Sequence, residues 1–180
     1  MHIIAFVSQK GGCGKSTLAA CLAVAAQEAG ERVFVLDLDP KKSIVRWGSK
    51  RNDPNLPVEA VPAARLPAAL TALSKRNMSL VIVDTPVLES PRSLAAIKAA
   101  GFCIVPARPA TFDVWASEGT GRKLKLMHKE FVFFLTNVPL SAKPHVCKRA
   151  SPRLKPLGLF YVPTSPRGQT FSKPRAPARA

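Results

Sequence analysis

Eight consecutive residues, Lys10-Gly-Gly-Cys-Gly-Lys-Ser-Thr17, carry the groups needed to hold a polyphosphate. They follow the apolar run His2-Ile-Ile-Ala-Phe-Val-Ser8 and precede an alanine- and leucine-rich stretch, so strand, glycine turn and helix come in that order. Gly11, Gly12 and Gly14 lack a Cβ, which lets the backbone take positive φ and bring its N–H groups close to phosphate oxygens. A helix beginning near Lys15 adds the positive end of its dipole and its unpaired N–H groups. Lys15 can then reach the β- and γ-phosphates, and the Ser16 hydroxyl can complete a Mg²⁺ shell. Cys13, just before the helix, is either an oxidation-sensitive thiol or an indifferent small residue.

Two acidic clusters suit such a loop. Asp37-Leu38-Asp39-Pro40 ends the apolar run that starts at Arg32, and Asp39 projects just past it. A carboxylate there can orient or deprotonate a water for attack on the γ-phosphate, and either aspartate could instead cap a helix. Asp84-Thr85-Pro86 follows Leu80-Val-Ile-Val83, so Asp84 can hold the metal through its water shell beside Ser16. The candidate metal set is therefore Ser16, Asp39 and Asp84. A guanine-selective site would show N-K-x-D after a late strand, whereas Leu135-Thr-Asn-Val-Pro139 has no such aspartate. ATP is favoured, with Asn137 read as either an adenine contact or a loop turn residue. The main chain near Pro163 is a fainter candidate for the same contact.

These residues need strand ends to hold them, and the chain supplies strand and helix signals in alternation. Short apolar runs are expected as strands at 2–8, 32–37, 58–61, 80–83, 102–106, 131–135 and 159–162. Helices are expected over 16–29, 41–50, 66–76, 90–100 and 111–128, with a short one over 145–154. Gly119 and Gly121 should weaken the 111–128 helix by roughly 1 kcal/mol each against alanine. The βαβα order implies an α/β fold: a parallel twisted sheet flanked by helices on both faces. Ligands in such sheets sit at the carboxyl ends of the strands, where Lys10–Ser16, Asp37–Pro40 and Asp84–Pro86 all fall.

The 180 residues suit one domain, at about 100–200 residues per domain. Residues 1–162 are read as that domain and 163–180 as a basic, proline-rich tail with poor order. The net charge of +16 favours polyanions, nucleic acid before an anionic membrane. Beyond Glu130 no acidic residue occurs, so the C-terminal third is the expected DNA-binding region. The four cysteines form no C-x-x-C, no signal peptide is visible, and the longest apolar run, 18–26, is far short of the ~20 residues of a membrane span. A cytoplasmic location is expected. His2, His128 and His145 have no metal-ligand spacing, and Trp47 and Trp115 are read as packing residues.

The string KGGxGK[ST], with a second lysine before the first glycine pair, is the deviant Walker A motif. Through it and the two acidic motifs, roughly Met1 to Val138 resembles the ParA/MinD family of ATPases. The resemblance implies a phosphate-loop NTPase fold in three layers, α/β/α, and Mg²⁺-dependent ATP hydrolysis. It implies catalytic roles for Lys10, Lys15 and Asp39, with Lys10 reaching the phosphates of a partner subunit. Nucleotide contacts would come from Gly11, Gly12, Cys13, Gly14, Lys15, Ser16 and Thr17, and the Walker B carboxylate would be Asp84. The position matching Asp37 is structural or supports the metal shell. Lys41 and Val87 depart from the family's usual glutamine and second proline. Closest within the family are the ParA-type partition proteins, which implies an ATP-dependent homodimer, nonspecific nucleoid DNA, a centromere-binding adaptor, and plasmid or chromosome partitioning. A MinD-like ATPase at a membrane surface, a kinase or ligase of small molecules, and a catalytically weak relic that binds DNA are the alternatives. The amphipathic C-terminal helix that a membrane role requires is not evident.

Overall fold

A computed structural model describes residues 1–138, 150 and 152–161. The tail expected from residue 163, and most of the helix expected over 145–154, lie outside the described residues. The chain runs β1 (His2–Phe6), α1 (Lys15–Glu28), β2 (Val33–Asp37), α2 (Ser43–Arg51), β3 (Val58–Ala60), a 3₁₀ turn (Ala63–Arg65) and α3 (Leu66–Lys75). It continues with β4 (Leu80–Asp84), α4 (Pro91–Ala99), β5 (Phe102–Ala107), α5 (Thr111–Leu126), β6 (Glu130–Leu135) and β7 (Leu159–Tyr161).

The seven strands form one sheet in the order β3-β2-β4-β1-β5-β6-β7, and every pairing is parallel. Parallel neighbours need crossover connections, and helices provide them on both faces. β2 and β4 are buried at every position, which explains why each is apolar up to its terminal aspartate. Successive side chains enter opposite cores. Phe34, Leu36, Val81 and Val83 pack with α3, α4 and α5 on one face, whereas Val33, Val35, Leu80 and Ile82 pack with α1 and α2 on the other. The expected three-layer α/β/α fold is what forms.

Element ends follow local chemistry. The Ser90 hydroxyl accepts the Arg92 N–H and Pro91 occupies the first turn, which starts α4. α1 starts on Gly14 (φ 96°) and is followed by Gly30 (φ 89°), both left-handed. Pro106 lies inside β5, but β1 pairs only with Phe102–Ile104, so its missing N–H costs no ladder bond on that side.

The connections diverge at β1. From it the chain crosses to β2 on one side, while β5 lies on the other. Such a reversal opens a crevice beyond the carboxyl ends of the strands, and the loop after β1 fills it.

Candidate functional site

The loop from Lys10 to Gly14 leaves β1 and turns directly into α1. Gly12 has φ 72° and Gly14 φ 96°, so two of its glycines take the conformation that L side chains resist. No side chain caps α1 and no acidic residue occupies its first turn. Its first N–H groups therefore remain for an anion.

Carbonyls on the outer side of the loop are held by side chains from other elements. The Thr136 hydroxyl, just past β6, donates to the Cys13 carbonyl at 2.8 Å. The Arg108 guanidinium, just past β5, donates to the Gly12 carbonyl. A trans peptide points its C=O and N–H in opposite directions. Holding these two carbonyls outward therefore turns the Cys13 and Gly14 N–H groups the other way. Arg108 Nε is buried and without a partner among the described residues.

The Lys15 side chain is buried and donates to the Lys10 carbonyl at 3.2 Å. Opposite it stands Asp84. Its neighbours in register are Phe6 of β1 and Asp37 of β2, so the two carboxylates are side by side at the strand ends. Thr85 fastens this end by donating to the Phe6 carbonyl at 2.6 Å, and the Leu38 N–H donates to the Asp84 carbonyl at 3.0 Å.

Both Asp84 carboxylate oxygens are fully buried without a hydrogen-bond partner of ordinary geometry. Burial is the main cause that pushes its pKa up to about 6; the nearby Ser16 hydroxyl and Lys15 ammonium oppose it, and the charges of Asp37 and Asp39 add to it. A buried carboxylate with no partner is costly unless a cation joins it. Among the described residues no three Asp, Glu, His or Cys side chains converge to hold a metal by themselves. That fits Mg²⁺, which keeps waters and takes phosphate oxygens beside one or two protein ligands. Ser16 and Asp84 are the residues placed to supply such a set.

Asp37 is buried and has a structural task. Its carboxylate accepts the Asp39 N–H at 2.9 Å and the Val45 N–H at 3.4 Å, tying the strand end to the first turn of α2. Burial raises its pKa, against those backbone hydrogen bonds. Asp39 is half-buried, and its carboxylate accepts the Lys41 N–H at 2.9 Å. It therefore lies at the head of a turn, just past the strand ends that carry Asp37 and Asp84.

Lys10 donates to the Asp113 carboxylate of α5 at 3.0 Å and lies over the Phe112 ring. Cys13 is 1% exposed with its thiol turned to the Lys10 carbonyl, so it lacks the access that oxidation requires. Gly11 and Thr17 are exposed on the loop and the first turn of α1. Asn137 takes a left-handed turn conformation, φ 53°, just past β6 and beside Thr136. Sequence reasoning missed Arg108, Asp113 and Thr136, which lie about 95 to 125 positions from the loop residues they touch. Their only signal was their place after an apolar run or at the start of a helix.

Comparison with known proteins gives the same picture. The profile of the CobQ/CobB/MinD/ParA nucleotide binding domain matches residues 4–150. "Maintenance of carboxysome distribution protein A" of Gloeobacter kilaueensis is 37% identical over 115 residues, covering 63% of this chain and 52% of that protein. "Chromosome-partitioning ATPase Soj" of Thermus thermophilus is 29% identical over 155 residues, 70% of this chain and 61% of that one. The chain thus spans about half the length of the curated relatives it matches. Among solved structures, the MinC:MinD cell division protein complex of Aquifex aeolicus superposes with a TM-score of 0.73 at 16% identity, covering 93% of this chain and 83% of that one. With the profile spanning most of the sheet and every loop residue described above, this chain belongs to the CobQ/CobB/MinD/ParA family of nucleotide-binding domains.

Proposed function

We propose that this protein is a positioning ATPase that binds Mg-ATP in the loop from Lys10 to Thr17, pairs with a second copy while the triphosphate is intact, and separates after hydrolysis. The observation that carries the reading is the fully buried Asp84 carboxylate, without a hydrogen bond of ordinary geometry, close to Ser16 and Lys15. A site built for a cation next to a site built for phosphate suits a metal–nucleotide complex.

Position on the loop and at the strand ends supports the following roles. The N–H groups of Gly11, Gly12, Cys13 and Gly14 and of the first turn of α1 bind the phosphate oxygens, and Lys15 exchanges the Lys10 carbonyl for the β- and γ-phosphates. Ser16 and Asp84 hold the metal, with Asp39 as a further candidate ligand. Bound Mg²⁺ supplies charge neutralisation on the phosphates. Asp39, on its short turn, orients the attacking water, and Asn137 meets the adenine edge. Lys10 leaves Asp113 to stabilise the transition-state charge in the partner subunit. That exchange is cheap, since the Lys10 side chain is 43% exposed in its ion pair.

The +16 charge supports nonspecific contacts to DNA phosphates, including those of the basic C-terminal third, and hence nucleoid association. The partition and distribution roles in the relatives' names support a cargo adaptor for this chain, with a plasmid or chromosome as the expected cargo. No helix among the described residues is long and apolar enough to cross a membrane, and a membrane partner is not part of the reading.

Calorimetric titration with Mg-ATP, paired with size-exclusion light scattering, tests it. We expect measurable binding, a dimer with ATP but not ADP, and loss of the dimer in Lys10→Ala with binding retained. A folded wild-type protein that gives no heat with Mg-ATP rejects the proposal, and a monomer in every nucleotide state rejects its dimeric step.

A further inference from the structure

The α2 segment carries an unusual arrangement of charge. Between Pro40 and Asn52 there are five basic residues and no acidic one. Arg51 is accounted for by its ion pair to Asp53 at 3.3 Å and its place over the Trp47 ring. Lys41, Lys42, Arg46 and Lys50 are all exposed, and among the described residues none of them forms an ion pair.

Lys42 is the N-cap of α2, and Arg46 and Lys50 follow it at four-residue spacing, so the three cations are distributed along about 12 Å of the helix. The face turned inward carries Ile44, buried in the core under α1 and α2. Local stability explains only part of the row: Lys50, in the last turn, suits the helix dipole. Like charges four apart repel on a helix, and cations in its first turn oppose the dipole. Lys42 further holds φ 51°, a left-handed conformation that a lysine adopts at a cost. Three unfavourable choices in one short segment point to a partner outside the chain.

We propose that the Lys42–Arg46–Lys50 row of α2 is a docking surface for the phosphodiester backbone of duplex DNA. A duplex presents one charge per about 1.7 Å of axis, so a row of this length faces several phosphates at once. No exposed apolar residue accompanies the row within α2, and a lipid surface would require one. The row is also attached to the nucleotide end of the sheet. The Asp39 carboxylate accepts the Lys41 N–H and its carbonyl accepts the Lys42 N–H at 3.0 Å, while Asp37 holds the Val45 N–H. A change at Asp39 therefore displaces the first cation of the row directly. Its residues are separate in sequence from the basic C-terminal third, and the assignment rests on the DNA-binding part of the proposed function.

The test is fluorescence anisotropy of a mixed-sequence duplex with the full chain and Mg-ATP, at salt concentrations from about 50 to 200 mM. The triple variant Lys42→Ala, Arg46→Ala, Lys50→Ala is compared with Arg65→Ala, Lys75→Ala, Lys98→Ala, which removes equal charge from exposed positions on and beside α3 and α4 across the sheet. We expect the α2 variant to flatten the plot of log affinity against log salt by about 2 to 3, and the control to leave it unchanged. Should the triple variant fail to fold, Arg46→Ala and Lys50→Ala singly each lower the slope by about 1. Mg-ATP titration should be the same for all variants.

Equal losses in the α2 and control variants overturn the assignment, because net charge alone then suffices. An unchanged slope in the α2 variant overturns it too. So does retained DNA binding with lost sedimentation on phosphatidylserine-containing vesicles, which would assign the row to a lipid surface. If the wild-type chain binds no DNA in any nucleotide state, the DNA-binding part of the proposed function falls as well.

Discussion

Asp84 shows how a single side chain records the needs of a site. Its native pKa of about 6 stands above the ordinary 3.8, so between those values the folded protein holds more protons than the unfolded chain. Stability from this group is then lost as pH rises through that window, and the cost persists above it. Asp84→Asn is expected to stabilise the nucleotide-free protein by about 1 to 3 kcal/mol at pH 8, with a smaller gain at pH 5, while abolishing the proposed ATP turnover. Urea unfolding at the two pH values checks this, and equal stability of the two proteins at pH 8 rejects it. Asp84, Ser16 and Lys15 were legible in the sequence because motif spacing encodes them. Arg108, Thr136 and Asp113 were not, since each acts on the loop only through chain folding that brings β5, β6 and α5 beside it.

At the scale of elements, α5 forms over Thr111–Leu126 within the expected span, but its two glycines are not the plain weaknesses their sequence implied. Gly119 and Gly121 read as weaknesses in a helix, yet the two sites differ. A Cβ on Gly121 would lie 2.5 Å from the fully buried Phe133 ring, whereas one on Gly119 would meet the end of the Gln9 side chain at 2.9 Å. Overpacking costs about 1 to 3 kcal/mol, against a propensity gain near 1. Gly121→Ala is therefore expected to destabilise by up to about 2 kcal/mol, and Gly119→Ala to be neutral or stabilising by up to about 1 kcal/mol because Gln9 can swing away. Denaturant midpoints showing the reverse order would reject this account. Strands were easier to read than helix surfaces, because a run buried on both faces, such as 33–36, is apolar throughout.

Over the whole molecule, one exposed aromatic pair marks the face beside Lys10. Phe112 and Trp115 meet edge to face at 5.4 Å and are 68% and 47% exposed. Trp115 and Trp47 are the two tryptophans of the chain. In a Trp47→Phe background, dimerisation through the Lys10 face should shift Trp115 emission to the blue with Mg-ATP and not with ADP, and Lys10→Ala should remove the shift. An emission spectrum indifferent to nucleotide, in a sample that light scattering shows to be dimeric, would place the dimer contact elsewhere.

What the sequence alone determined is local and periodic. The glycine turn, its lysines, the two acidic strand ends and the alternation of apolar runs with helices lie in contiguous residues, so spacing suffices to expose them. The tertiary structure alone decided what meets across the sheet. It set Asp37 beside Asp84, brought Arg108 and Thr136 onto the outer side of the loop, and held Lys10 on Asp113. Those pairings depend on strand order and on which face each helix covers. That information resides in long-range packing, which no short stretch of the chain contains.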